Sequence, residues 1–228
     1  MTNPDFLVPD ATRHQTLWEH IIPHLDTSDL AHDLLHLERV YKWSIHLAKM
    51  EGQDTDIAGA VALLHDIVNI PKESDLRSSA SELSAIFGVS FLEKSGYNST
   101  EIATITDAIH TCSWSKGRTP NSIYGAILQD ADRLDAIGAI GIMRNMACAQ
   151  AMHSRGSNGA FYNNLDPIGK SDRILNDKNF AIDHFFCKLL HLQDTMHTNT
   201  AKQEAERRHQ FLQTFLDELG MELATLEK

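Results

Sequence analysis

The chain has 228 residues, 42% of them apolar and 22% charged, and a formal net charge of −11. That is enough apolar material for a sizeable core, and the wrong sign for a broad surface gripping duplex nucleic acid. Cys112, Cys148 and Cys187 stand far apart with no C-x-x-C pair, so neither a disulfide framework nor a structural zinc knuckle is expected.

Almost every segment carries apolar residues at helical period, and strand-like alternation is scarce. A first helix is predicted over residues 12–22, stopping before Pro23. A second, capped near Ser28 or Asp29, runs to Gly52 as its C′ glycine. A third spans residues 55–69, because Pro71 turns its predecessor away from helical geometry. Residues 78–87 and 91–94 read as helical with Gly88 and Gly96 as punctuation, and residues 100–111 as another helix. Pro120 opens a long helix reaching about Met152.

Residues 154–177 are turn-rich, and so long a loop is more often a cover over a site than a plain connection, with Arg155, Lys170 or Arg173 as cations to close on a ligand. Helix resumes over 179–222. The expectation is one all-α domain over 1–228, with a motif-bearing core at about 28–152. No stretch without charges is long enough to span a membrane, and residues 1–6 lack the basic start and apolar run of a signal peptide, so a cytoplasmic protein off the membrane is expected. The apolar stripes at 189–192 and 211–216 suit core or a homodimer face.

Three polar groups interrupt this pattern. His65-Asp66 ends the apolar run Ala62-Leu63-Leu64, where a buried imidazole and carboxylate are costly unless compensated, and where a carboxylate opposes the negative end of the helix dipole. Upstream, His32, His36 and Arg39 share one helix face. Downstream, Asp130, Asp132 and Asp135 sit among apolar residues, neutralised either by arginines such as Arg39, Arg133 and Arg144 or by a metal. Taken singly, each has a bland reading as a helix-boundary histidine or an ion pair.

The ordered set His36, His65-Asp66 and Asp132 resembles the HD superfamily of metal-dependent phosphohydrolases. So do the surrounding runs His32-Asp33-x-x-His36-x-x-Arg39-Val40, Asp130-Ala131-Asp132-Arg133-Leu134-Asp135-Ala136 and Asp183-His184-Phe185-x-x-Lys188. They are similar to a stand-alone helical branch in which some members look like nucleoside-triphosphate pyrophosphohydrolases. The resemblance implies an HD-type helical bundle with His36, His65, Asp66 and Asp132 as ligands to one divalent ion. Such a mixed N/O set suits Mn²⁺ first, with Fe²⁺, Co²⁺, Ni²⁺ or Zn²⁺ as alternatives and Mg²⁺ a less natural one. His32 and His110 are the candidates for a second ion.

Implied with it is hydrolysis of a small phosphorylated substrate, a nucleotide first, by metal-activated water. Lys72 and Arg77 are expected at the phosphate with Lys188 as a further contact, and Asp135 or His32 either in proton transfer or in supporting a metal ligand. Orthophosphate release, a non-catalytic metal- and nucleotide-binding regulatory protein, and a purely structural metal site stay open as alternatives. One departure stands out: where the branch tends to have Ile-x-x-His-Ser-Phe-Ser, this chain has Ile109-His110-Thr111-Cys112-Ser113-Trp114-Ser115.

Overall fold

The structure is a computed structural model describing residues 12–25, 30–68, 70, 74, 79–111, 119–154, 156 and 159–225. Among these the fold is all-helical, as expected; one isolated β-bridge pairs Ala160 with Phe180. The chain forms two compact units, one of residues 1–28 and 32–132, the other of residues 29–31 and 133–228.

The N-terminal unit is built on α3 (Thr55–Leu64), against which α1 (Thr12–Ile21), α2 (Leu34–Met50), α4 (Ala80–Lys94) and α5 (Ser99–His110) pack. Ile57 through Leu64 are all buried, so α3 is apolar all round, the signature of a central helix. Asp54 starts it by accepting the amide of Asp56. Gly59 admits the buried ring of His14 from α1. The ring is fixed at both ends, with Nε2–H donating to the Asp56 carbonyl at 2.7 Å and Nδ1 facing the Tyr41 hydroxyl at 2.8 Å. A carbonyl only accepts, so Nε2 carries the proton, and burial pushes the His14 pKa down, keeping the ring neutral.

Several helix ends differ from expectation. Ser28 and Asp29 lie outside the described residues; α2 begins at Leu34, capped by Asp33, and ends with Gly52 at φ +66°, the expected C′ glycine. The third helix stops at Leu64, five residues early, because the Val68 amide donates to Ser84 Oγ on α4. Gly88 does not divide α4: it is helical, and a side chain there would crowd Leu64 at 3.1 Å. The long helix from Pro120 is two, α6 (Ile123–Asp135) and α7 (Gly138–Ser154). Ala136 and Ile137 bond back three residues to Arg133 and Leu134, and Gly138 turns the chain at φ +73°.

In the C-terminal unit α7 packs on α9 (Asn199–Thr225), which also meets the 3₁₀ segment Leu189–Thr195 that follows α8 (Asp183–Cys187). Phe185 stacks on Phe215 at 5.7 Å, and Ile182, Leu189, Leu192, Ala205 and Leu212 complete the core. On α9, Arg207 holds the Glu204 carboxyl down to about 2; burial opposes this and Arg208 reinforces it.

Ordinarily Gly→Ala inside a helix stabilises by about 1 kcal/mol. Gly59→Ala should do the opposite, because its Cβ would lie 2.2 Å from an imidazole tethered on both sides. We expect a loss of about 1–3 kcal/mol, read from the urea midpoint; a stabilised variant would show that the ring gives way. Because the folded-state pKa of Glu204 lies below its unfolded value of 4.5, its contribution is complete above that pH and disappears as pH falls towards 2. Melting temperature should therefore fall through this window, less steeply in Glu204→Gln, and equal slopes would contradict the assignment.

Candidate metal centre

Three helix ends bring the polar groups of the N-terminal unit together. The Asp33 carboxylate caps α2 by accepting the His36 amide at 2.9 Å, so His36 lies in the first turn with its ring buried. His65 and Asp66 leave the end of α3 together. The Nδ1–H of His65 donates to the Ala62 carbonyl at 2.7 Å, which fixes the tautomer and leaves the Nε2 lone pair available. That Nε2 is buried with no hydrogen-bond partner among the described residues, an expensive arrangement unless a cation completes it. Asp132 projects from α6, one turn before its end.

His36 Nε2 lies 3.8 Å from an oxygen of Asp66 and 3.8 Å from one of Asp132, while His65 Nε2 is 3.5 Å from Asp66 Oδ2. The two imidazole rings are 5.6 Å apart. One ligand atom each from His36, His65 and Asp132 fall within 4.8 Å of one another. Metal–ligand bonds of about 2.0–2.2 Å imply neighbouring ligand atoms about 3–4 Å apart, so His36, His65 and Asp132 fit one ion with small side-chain adjustments, and Asp66 stands beside both imidazoles. The histidines are nearly inaccessible while Asp66 and Asp132 keep 29% and 42% exposure, so the acidic side of the cluster faces water. Burial pushes the Asp66 carboxyl up, but His65, then His36 and His32, outweigh it and hold it well below the usual carboxylate range.

The other predicted residues separate. Lys72, Arg77 and Cys112 lie outside the described residues, as does Arg155. His32 stands beside His36 with ring centroids 5.8 Å apart, whereas His110 lines a groove between α4 and α5. Lys188 belongs to the C-terminal unit, at the end of α8, and is half-buried. Asp135 is fully buried and pairs with Arg144 at 3.2 Å, so the carboxylate expected to move protons is engaged in an ion pair.

Residues 160–183 form an ordered strap. Asp166 accepts from the amides of Lys170 and Ser171 and from Arg173 Nε, while Arg173 also grips Asp183 with both terminal nitrogens at 2.5 and 2.6 Å. Arg173, expected as a cation free to close on a ligand, is thus spent on its own fold. Sequence reasoning missed Asp33 as the cap that sets His36, although the S/T/D/N signal for helix starts was present three residues before it.

With this geometry in view, the relatives are informative. The HD domain family matches residues 34–137, a span that contains all four clustered side chains. The uncharacterized protein YpgQ of Bacillus subtilis strain 168 is 32% identical over 201 residues, 86% of either chain. Its crystal structure in complex with ADP superposes with a TM-score of 0.69 at 29% identity, covering 92% of this chain and 94% of that one. An HD-superfamily hydrolase from Bacillus thuringiensis gives 0.67 at 31% identity, covering 92% and 95%. The chain belongs to the HD-domain superfamily of metal-dependent phosphohydrolases.

Removing Arg173 would leave Asp166 and the fully buried Asp183 without their shared cation, which destabilises the strap. Arg173→Met should therefore lower the melting temperature and speed amide hydrogen exchange at Lys170, Ser171 and Asn176, whose N–H groups are bound to those two carboxylates. Unchanged exchange at these amides would show that the strap does not depend on the guanidinium.

Proposed function

We propose that this chain is a divalent-metal-dependent hydrolase of nucleotides, with His36, His65, Asp66 and Asp132 holding one ion, Mn²⁺ by preference. The observation that carries the reading is the buried Nε2 of His65, which lacks a hydrogen-bond partner among the described residues and lies 3.5 Å from Asp66. Two imidazoles and two carboxylates match the N/O preference of Mn²⁺ and its first-row neighbours. When bound, the ion supplies a lowered water pKa and polarisation of a phosphoryl oxygen.

The chain's own residues supply the rest. His65 is locked in the Nε2-acceptor tautomer by Ala62, and Asp66 stays ionised at neutral pH. The exposed flank formed by Asp66 and Asp132 is where substrate and water reach the cluster. Lys72 and Arg77 follow Asp66 closely in sequence, and we assign them to the phosphate oxygens, with Lys188 a further candidate contact. The nucleotide class is supported by the ADP complex of the Bacillus subtilis relative. Phosphoanhydride cleavage releasing pyrophosphate is the preferred reaction, and release of orthophosphate is its rival.

A panel of nucleoside mono-, di- and triphosphates with Mn²⁺, scored separately for pyrophosphate and orthophosphate, decides between them. Asp66→Ala and His65→Ala should each reduce turnover by at least a thousandfold, on the order of 4 kcal/mol of barrier, while leaving the helical circular dichroism intact. Undiminished hydrolysis after chelation, or by Asp66→Ala, would refute the mechanism. Nucleotide binding without any product would mark a binding protein instead.

A further inference from the structure

The C-terminal end of α6 is tied down by three arginines, although a helix end needs only a cap. Arg208 Nη1 donates to the Leu134 carbonyl at 2.6 Å, Arg133 donates to the Thr195 carbonyl, and Arg144 pairs with Asp135. Arg144 also reaches a second segment, with its Nε donating to the carbonyl of Ala31 at 2.7 Å. Ala31 is buried and stands two residues before Asp33, the cap whose carboxylate holds the His36 amide. Asp135 lies three residues beyond Asp132 on the same helix. One guanidinium, 13% exposed against a fully buried carboxylate, therefore joins the chain entering the His36 helix to the end of the Asp132 helix.

We propose that Arg144 is a positioning residue for the metal centre, fixing the separation of His36 and Asp132 through Ala31 and Asp135. The inference rests on the ligand assignment made above. A planar fork can hold a carbonyl with Nε and a carboxylate with Nη1 at once, in a fixed relative orientation. Lysine keeps the charge but has only a compact ammonium, which cannot reproduce that two-point bridge. Loosening the bridge lets the two ligand-bearing helix ends drift independently. Changes to groups that orient ligands commonly weaken metal binding 10- to 100-fold.

The test is Mn²⁺ affinity of the full chain by electron paramagnetic resonance titration, beside the metal-free melting temperature. Arg144→Met should bind Mn²⁺ at least tenfold more weakly, and Arg144→Lys should weaken it too, despite preserving the charge. Arg173→Met, which removes a half-buried, ion-paired arginine from the C-terminal strap, serves as the control and should lose melting temperature with Mn²⁺ affinity unchanged. If Arg144→Met does not fold, Arg144→Lys carries the measurement. Affinity within twofold of wild type in the folded Arg144 variants, while Asp132→Ala abolishes binding, would overturn this inference alone. Unchanged affinity in Asp132→Ala would overturn the ligand assignment and the inference with it.

Discussion

Two imidazoles sheltered from water face two carboxylates that are not, and the N-terminal unit is arranged around that asymmetry. A neutral imidazole can be buried if its nitrogens find partners, yet His65 spends only Nδ1, on Ala62, and leaves Nε2 directed at the acids. The cost is sustained because α3 is apolar throughout and lies in the middle of its unit, so its end cannot swing away to hydrate the ring. Fixing the donors in advance, with the carboxylates at the water-facing side, lets a cation bind without rearranging the core.

Helix ends bear the polar chemistry in both units, and each is held by a specific neighbour. Asp33 caps α2 at His36, and Ser84 takes the Val68 amide after α3. At the end of α6, exposed carbonyls and the negative end of the helix dipole meet arginine side chains, the favourable sign for that terminus. Charge that a sequence reader would assign to catalysis is in several places committed to this anchoring. Asp135 and Arg173 are of that kind: Asp135 is buried against the half-buried Arg144, and the half-buried Arg173 pairs with the buried Asp183.

The legible and illegible parts of the fold divide by the range of the interaction involved. Helix existence was readable because apolar period acts within a few positions, while the capping box of Asn98 and Glu101 at the start of α5 is a local signal that went unread. Glycine misled in both directions. Gly88 is kept small by Leu64 from another helix and stays helical, whereas Gly138 takes a positive φ and breaks what looked like one helix. Neither outcome is encoded locally, because the first depends on a neighbour 24 residues earlier in the chain and the second on a turn whose far side packs against Arg208.

From the sequence alone came the all-helical class, the family and the four clustered side chains. The class rests on periodicity; the family and the four side chains rest on the resemblance of His36, His65-Asp66, Asp132 and their surrounding runs to the HD superfamily. Tertiary structure decided what each polar group does. Spacing can say that Asp132 and Asp135 share a helix, but only the packing leaves one 42% exposed beside His36 and seals the other against Arg144. The physical reason is that a carboxylate's role follows from its surroundings: near water and imidazoles it is available to a cation, and in the interior it must be neutralised by whichever guanidinium the fold brings to it.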